Sequence, residues 1–205
     1  MKTKVKICGI TNLDDALIAQ KSGADALGFV FYPQSPRYIR PSAAKKIIFK
    51  LPKKIKKIGV FVNPTSRTVK RIAQLCTLDI LQFHGDEPPR FCQKFRGYKT
   101  IKAFRIKDAV SLSRVGDYST DYYLFDTFKK NSFGGTGKKF AWGLLTRSRI
   151  KKPFFLSGGL DSGNIVCAVK TARPDWVDVS SGVELSPGKK DKELIQEFIA
   201  RVKTL

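Results

Sequence analysis

Two stretches near the C-terminus share one pattern: Pro153-Phe154-Phe155-Leu156-Ser157-Gly158-Gly159 and Trp176-Val177-Asp178-Val179-Ser180-Ser181-Gly182. In each, a short apolar run that reads as a buried strand ends in a glycine-bearing turn, and a helix-like segment follows. Glycine at a strand-to-helix turn lets backbone N–H groups approach an oxyanion closely, and the helix N-terminus adds a favourable dipole. One Gly-Gly alone would be only a turn. Two such turns on consecutive strand–helix units match the phosphate grip expected after the seventh and eighth strands of a (β/α)8 barrel. Gly158, Gly159, Ser180, Ser181 and Gly182 are therefore the candidate phosphate-binding residues.

Upstream, the same alternation runs back to the N-terminus. Strand candidates are Lys4–Cys8, Ala26–Phe31, Ile58–Val62, Ile80–Phe83, Thr100–Phe104 and Tyr122–Phe125, which join Phe154–Leu156 and Trp176–Val179. Strands alternating with amphipathic helices predict the α/β class, here a single-domain (β/α)8 TIM barrel over residues 1–205. A doubly wound open sheet is the alternative, but no Gly-x-Gly-x-x-Gly follows the first strand. Asn12 with Asp15 predicts a capped helix start, Pro41 and Pro64 suit first helical turns, and Asp161 and Asp191 can open the last two helices. The final helix should bury Leu194, Ile195, Phe198, Ile199, Val202 and Leu205. A further helix is read between Lys107 and Asp121 despite poor periodicity.

A chain of 205 residues and 23.0 kDa can bury a substantial core. No apolar run approaches the roughly 20 residues of a membrane span, so no membrane partner is expected. Met1-Lys2-Thr3-Lys4-Val5-Lys6-Ile7-Cys8 reads as a strand rather than a signal peptide. Cys8, Cys76, Cys92 and Cys167 are scattered without a Cys-x-x-Cys pair, which disfavours a disulfide framework or zinc site and suits a reducing cytoplasm. The formal charge of +22 attracts polyanions of any kind. Its lysines are spread along the whole chain, densest at Lys53-Lys54-Ile55-Lys56-Lys57 and Lys129-Lys130, and no nucleic-acid motif accompanies them. We read the charge as a basic solvated surface and expect no specific nucleic-acid partner.

In a (β/α)8 barrel, chemistry sits where strands end. Those positions here hold Cys8-Gly9, Pro33-Gln34-Ser35-Pro36-Arg37, Asn63, His84-Gly85-Asp86-Glu87 and Asp126-Thr127, besides the two glycine turns. Cys8 could be a small buried hydrophobe. Strand alternation, however, places Lys6 on its side, where an ammonium would favour thiolate. Asp126 ends an apolar strand, either as an acid or as a cap for the next turn. Gly134-Gly135-Thr136-Gly137-Lys138 lacks the full P-loop pattern and reads as an active-site lid. Arg37, in a loop fixed by Pro33 and Pro36, suits a carboxylate or a solvated surface equally. The sole histidine, His84, is open to a site role or a structural hydrogen bond.

Taken in order, Lys6-Ile7-Cys8-Gly9-Ile10-Thr11, Ser35-Pro36-Arg37-Tyr38-Ile39, Gly59-Val60-Phe61-Val62-Asn63, Gln82-Phe83-His84-Gly85-Asp86-Glu87 and Phe125-Asp126-Thr127 resemble the phosphoribosylanthranilate isomerase family. The resemblance continues through Gly134-Gly135-Thr136-Gly137, Leu156-Ser157-Gly158-Gly159-Leu160, Val177-Asp178-Val179-Ser180-Ser181-Gly182-Val183-Glu184 and Pro187-Gly188-Lys189-Lys190-Asp191. It implies an Amadori rearrangement of N-(5′-phosphoribosyl)anthranilate in tryptophan biosynthesis, without cofactor or metal. Carried over by motif, Asp126 is the general acid, Cys8 the general base, and Arg37 the partner of the anthranilate carboxylate. His84 and Asp178 join the substrate-binding set, and the expected assembly is a monomer or homodimer. One departure is Phe140-Ala141-Trp142, where the family often carries Phe-Asp-Trp; it should weaken a helix start by about 1 kcal/mol. Competing readings are another phosphosugar barrel, which would leave Cys8 and Arg37 together unexplained, a basic nucleic-acid-binding barrel, and a degenerate enzyme.

Overall fold

Strand alternation sets which side chains enter the barrel. In the computed structural model, which describes residues 2–127, 141–148 and 150–205, β1 (Lys4–Cys8) turns Val5 and Ile7 outward into the main core and keeps Lys6 and Cys8 buried on the opposite side. It is followed by β2 (Ala26–Val30), β3 (Lys56–Phe61), β4 (Ile80–Phe83), β5 (Lys99–Ile106), β6 (Tyr122–Thr127), β7 (Phe154–Leu156) and β8 (Trp176–Val179). These strands pair in sequence order and close, β8 returning to β1 with Lys6 opposite Asp178. The barrel expected from the sequence is the fold, and the open sheet is excluded.

Two apolar layers support it. Between strands and helices lies the large core of Ile7, Leu27, Phe29, Phe61, Phe83, Phe125, Val177 and Phe198, among others. Within the barrel, Ala26, Ile58, Ile80, Ile101, Leu124, Phe155 and Trp176 fill the lower half, and the Phe155 and Trp176 rings stack 4.9 Å apart. The next inward positions along the strands are polar: Lys6, Gln82, Asp126 and Asp178, all buried. The site therefore rests on a dry aromatic floor.

The helices are α1 (Leu13–Lys21), α2 (Pro41–Phe49), α3 (Ser66–Leu75), α4 (Pro89–Cys92), α5 (Gly143–Arg147), α6 (Ile165–Ala172) and α7 (Lys192–Lys203). Asn12 caps α1 through its Oδ1, which accepts the Asp15 N–H at 2.8 Å, and Asp191 caps α7 through the Leu194 N–H at 2.9 Å. Pro41 opens α2 as expected. Pro64 does not open α3, because Thr65 is the cap and accepts the Thr68 N–H. Asp161 holds a turn before α6 by accepting the Asn164 N–H at 2.9 Å. Ile195, Phe198, Ile199 and Val202 are buried as read, but Leu205 lies past the end of α7 and is exposed. Between 107 and 121 there are only two 3-10 turns, Val110–Leu112 and Val115–Asp117. There Asp108 and Ser111 bind each other and nearby backbone, a local alternative to helix. Ala141 does not cap α5: the helix starts at Gly143 with Trp142 at its N-cap, and no side chain caps it. Among the described residues no helix is long and apolar enough to cross a membrane.

Candidate active site

Asp126, Ser157, Gly158, Gly159, Leu160, Asp178, Val179, Ser180 and Ser181 line one pocket at the C-terminal ends of β6, β7 and β8. The structure thus brings together the acid candidate, the carboxylate of β8 and both glycine turns. Gly158 and Gly159 have φ of +88° and +65°, a conformation that favours glycine. A side chain at Gly158 would also fall against Thr127 and stand 2.9 Å from Asp126 Oδ1. Among the described residues, the N–H groups of Gly158 and Gly159 make no hydrogen bond, so both are available to an anion. Gly182 serves differently. A Cβ there would overlap the Leu160 carbonyl, so this glycine lets the two turns touch. The Ser180 hydroxyl is committed too, donating to the Cys8 carbonyl at 3.1 Å.

Inside the mouth a polar chain crosses the barrel. Lys6 Nζ donates to Asp178 Oδ2 at 3.0 Å and to Gln82 Oε1 at 2.7 Å. Gln82 Nε2 lies 2.8 Å from His84 Nδ1, and His84 Nε2 lies 3.1 Å from Asp126 Oδ2. The Thr127 N–H donates to Asp126 Oδ1 at 2.8 Å. His84 is therefore within the site rather than beside it. Two buried oxygens, Asp178 Oδ1 and Thr127 Oγ1, have no protein partner among the described residues. Such atoms carry a desolvation cost that a ligand hydroxyl can relieve.

Cys8 sits where expected, at the inward-facing end of β1. Burial pushes its thiol above the ordinary value; Lys6 and Lys190 pull it down, and Asp178 adds to the rise. Lys6 thus favours the thiolate as expected, but burial opposes it more strongly. Burial alone would lower Lys6, yet the Asp178 carboxylate, with a smaller contribution from Cys8, outweighs it and holds the ammonium. Lys6 therefore divides its attraction between Asp178 and Cys8. Gly28 makes the room for both groups, since a Cβ there would stand 2.7 Å from Cys8 Sγ and 3.0 Å from Lys6 Cε.

Arg37 is not a solvated surface residue. Its Nε donates to Glu184 Oε1 at 2.9 Å and its Nη2 to Glu184 Oε2 at 2.6 Å, leaving Nη1 without a partner among the described residues. Glu184 also accepts Lys190 Nζ at 2.8 Å, and Lys190 reaches the carbonyls of Cys8 and Ser180. Glu184 and Lys190 sit on a small antiparallel ribbon, β9 (Glu184–Ser186) with β10 (Lys189–Lys190), that sequence reading missed. Glu87, in the stretch that ends the fourth strand, is a brace. It accepts Lys102 Nζ at 2.7 Å and the N–H groups of Asn63 and Gly85, fixing the loop behind His84. Among the described residues no group of three or more His, Cys, Asp or Glu side chains is placed to hold a metal ion. The expected lid, Gly134–Lys138, lies outside the described residues.

Comparison with known proteins places this geometry. The family model described as N-(5′phosphoribosyl)anthranilate (PRA) isomerase matches residues 5–201. The N-(5′-phosphoribosyl)anthranilate isomerase of Citrifermentans bemidjiense is 48% identical over 203 residues, covering 99% of this chain and 98% of that protein. The crystal structure of phosphoribosyl anthranilate isomerase from Thermotoga maritima superposes with a TM-score of 0.94 at 42% identity, covering 99% of this chain and 100% of the other. A crystal structure of phosphoribosyl anthranilate isomerase in complex with reduced 1-(o-carboxyphenylamino)-1-deoxyribulose 5-phosphate gives 0.90 at 41% identity, with the same coverage.

Proposed function

The chain belongs to the N-(5′-phosphoribosyl)anthranilate isomerase family, isomerases of tryptophan biosynthesis, and from that premise we propose that Asp126 and Cys8 perform its rearrangement by general acid–base catalysis. The observation that carries this reading is the single mouth shared by Asp126, Asp178 and the two glycine turns, with Cys8 at the neighbouring strand end. Gly158 and Gly159 N–H groups bind the substrate phosphate, and the backbone of Ser180, Ser181 and Gly182 completes the cradle. At the other end, the Nη1 edge of Arg37 binds the anthranilate carboxylate while Glu184 holds the rest of the guanidinium in place. Asp178 Oδ1 accepts from a ribose hydroxyl, and His84 positions Asp126.

With both ends anchored, Asp126 gives its proton to the furanose ring oxygen as that C–O bond breaks, leaving a Schiff base. Its protonated nitrogen is the electron sink. Cys8 then takes a proton from the adjacent sugar carbon, and the resulting enolamine tautomerises to the 1-deoxyribulose ketone. Because burial pushes the thiol up, the productive form is the fraction from which the proton has left, stabilised by Lys6 and Lys190. The protein works as one barrel domain, monomeric or homodimeric, in the cytoplasm and without a specific nucleic-acid partner.

The test is anthranilate fluorescence during turnover of N-(5′-phosphoribosyl)anthranilate by pure protein. Consumption that is lost in both Cys8→Ala and Asp126→Asn supports the assignment. Near-normal turnover by either variant removes that residue from its role.

A further inference from the structure

We infer that Gln82 is a positioning residue that holds the imidazole of His84 neutral, with its proton on Nε2, so that Asp126 stays able to carry the transferable proton. The argument is one of donor and acceptor counting along the chain that crosses the barrel. Lys6 is an ammonium, and an ammonium only donates. The end of the Gln82 amide that faces Lys6 Nζ at 2.7 Å must therefore be the oxygen. The NH2 end then faces His84 Nδ1 at 2.8 Å and donates to it. A ring nitrogen that accepts carries no proton. The His84 proton is thus on Nε2, where it donates to Asp126 Oδ2 at 3.1 Å.

The consequence falls on Asp126. A doubly protonated His84 needs an acceptor at Nδ1, and Lys6 locks the amide in the orientation that denies it one. A neutral ring leaves no imidazolium to pin Asp126 as a permanent carboxylate. With the Thr127 N–H on Oδ1 and the His84 N–H on Oδ2, the carboxyl is oriented and each oxygen keeps one lone pair. A proton on one of these can face the ring oxygen. The other charged or titratable groups around this chain are Asp178, which holds Lys6 from β8, Cys8 beside Lys6, and the Lys102–Glu87 pair behind the strand end. The sequence carried one hint: Lys6, Gln82, His84 and Asp126 all fall on inward positions of their strands.

The catalytic part of this inference rests on the function proposed above; the tautomer does not. The chain has one histidine, so untagged, 15N-histidine-labelled protein gives a single imidazole in long-range proton–nitrogen spectra. At neutral pH the expected pattern is a bare Nδ1 and a protonated Nε2. An imidazolium, or a proton on Nδ1, overturns the inference without touching the isomerase assignment. Gln82→Glu puts an acceptor at Nδ1 and should give imidazolium or the Nδ1–H form. Gln82→Met, which can neither donate nor accept in that way, should give a tautomer mixture and lower kcat on the order of 10-fold or more, since a wrong tautomer misaligns the proton path, with KM little changed. Folded Gln82→Met with wild-type kcat refutes the positioning role. Wild-type protein that fails to consume N-(5′-phosphoribosyl)anthranilate refutes the proposed function while leaving the tautomer measurement standing.

Discussion

Replacing Gly28 by alanine tests whether the position of Cys8 matters more than its presence. Gly28 lies on β2 opposite Cys8, and its backbone is in a conformation open to alanine, so any effect is steric. The new methyl would stand 2.7 Å from Cys8 Sγ, 3.0 Å from Lys6 Cε and 3.1 Å from Cys8 Cα. Optimal contact between carbon atoms is about 3.5–4.0 Å, so each approach is too close by roughly 0.5–1 Å. Cys8 Cα is fixed by the ladder; the thiol and the Lys6 stem must give way. Overpacking of this kind costs about 1–3 kcal/mol, which for a chain of this size lowers Tm by roughly 2–4 °C per kcal/mol. Displacing a reacting group by about 1 Å can cost about 10²-fold in rate. We expect kcat to fall at least tenfold, KM to change less, and alkylation of Cys8 to change in rate. Gly116→Ala is the control, because nothing lies within 4 Å of its added methyl and it should alter none of these. A Gly28→Ala protein with kcat within twofold of wild type, at a lowered Tm, would refute the reasoning.

Arg37→Ala should reduce kcat/KM by the roughly 1.5–3 kcal/mol of a charged hydrogen bond, mainly through KM. A change within twofold would assign the carboxylate to another cation. Burial holds the Cys8 thiol above its ordinary value of about 8.5, and the active form is deprotonated, so activity should climb as pH rises through and beyond that range. A rate already level below pH 7 would contradict this. Burial would raise the Glu184 carboxyl, but Arg37 and Lys190 outweigh it and hold it below the usual range. Its depressed folded-state value contributes stability above the unfolded value of about 4.3, lost as pH falls through the folded one. Glu184→Gln should therefore destabilise at neutral pH, with the gap to wild type closing in acid; a pH-independent gap in thermal melts would exclude the ion pair as the cause.

The barrel was legible because its signal is local and repeated. Apolar runs such as Tyr122–Phe125 and glycine turns such as Ser157-Gly158-Gly159 each announce a strand end without help from distant residues. Candidate residues at those ends followed from the architecture alone, and the resemblance added their roles. What remained hidden depends on partners far apart in the chain. Arg37 meets Glu184 and the Cys8 carbonyl meets Lys190 only because β9 and β10 carry those partners to them, and strands of three and two residues leave no periodic trace. Gln82 looked like an ordinary polar residue within a strand. Gly28 could have been found, since glycine inside a strand often marks the close approach of another group. The upward pull of burial on the Cys8 thiol stayed hidden because spacing reveals which charge is near, but not how much water is lost with it.

The charge of this chain was read from its surplus, but the charges that shape the site are the balanced ones. Lys6, Lys102 and Lys190 are each almost fully buried, against Asp178, Glu87 and Glu184 respectively. Burying an ion pair seldom stabilises a fold relative to apolar packing, whereas removing one partner costs about 3–5 kcal/mol. Such pairs make sense where a fixed direction is needed. Lys6 orients Gln82, Lys102 ties the loop that carries His84, and Lys190 binds the Cys8 and Ser180 carbonyls while sharing Glu184 with Arg37. All three stand behind residues at the strand ends, so each one holds a group of the proposed site in place. The surface excess acts at a range of about 8 Å at physiological salt and fades as salt rises. The buried pairs are screened far less, so added salt should weaken capture of the anionic substrate while leaving the geometry of the mouth, and hence kcat, nearly unchanged.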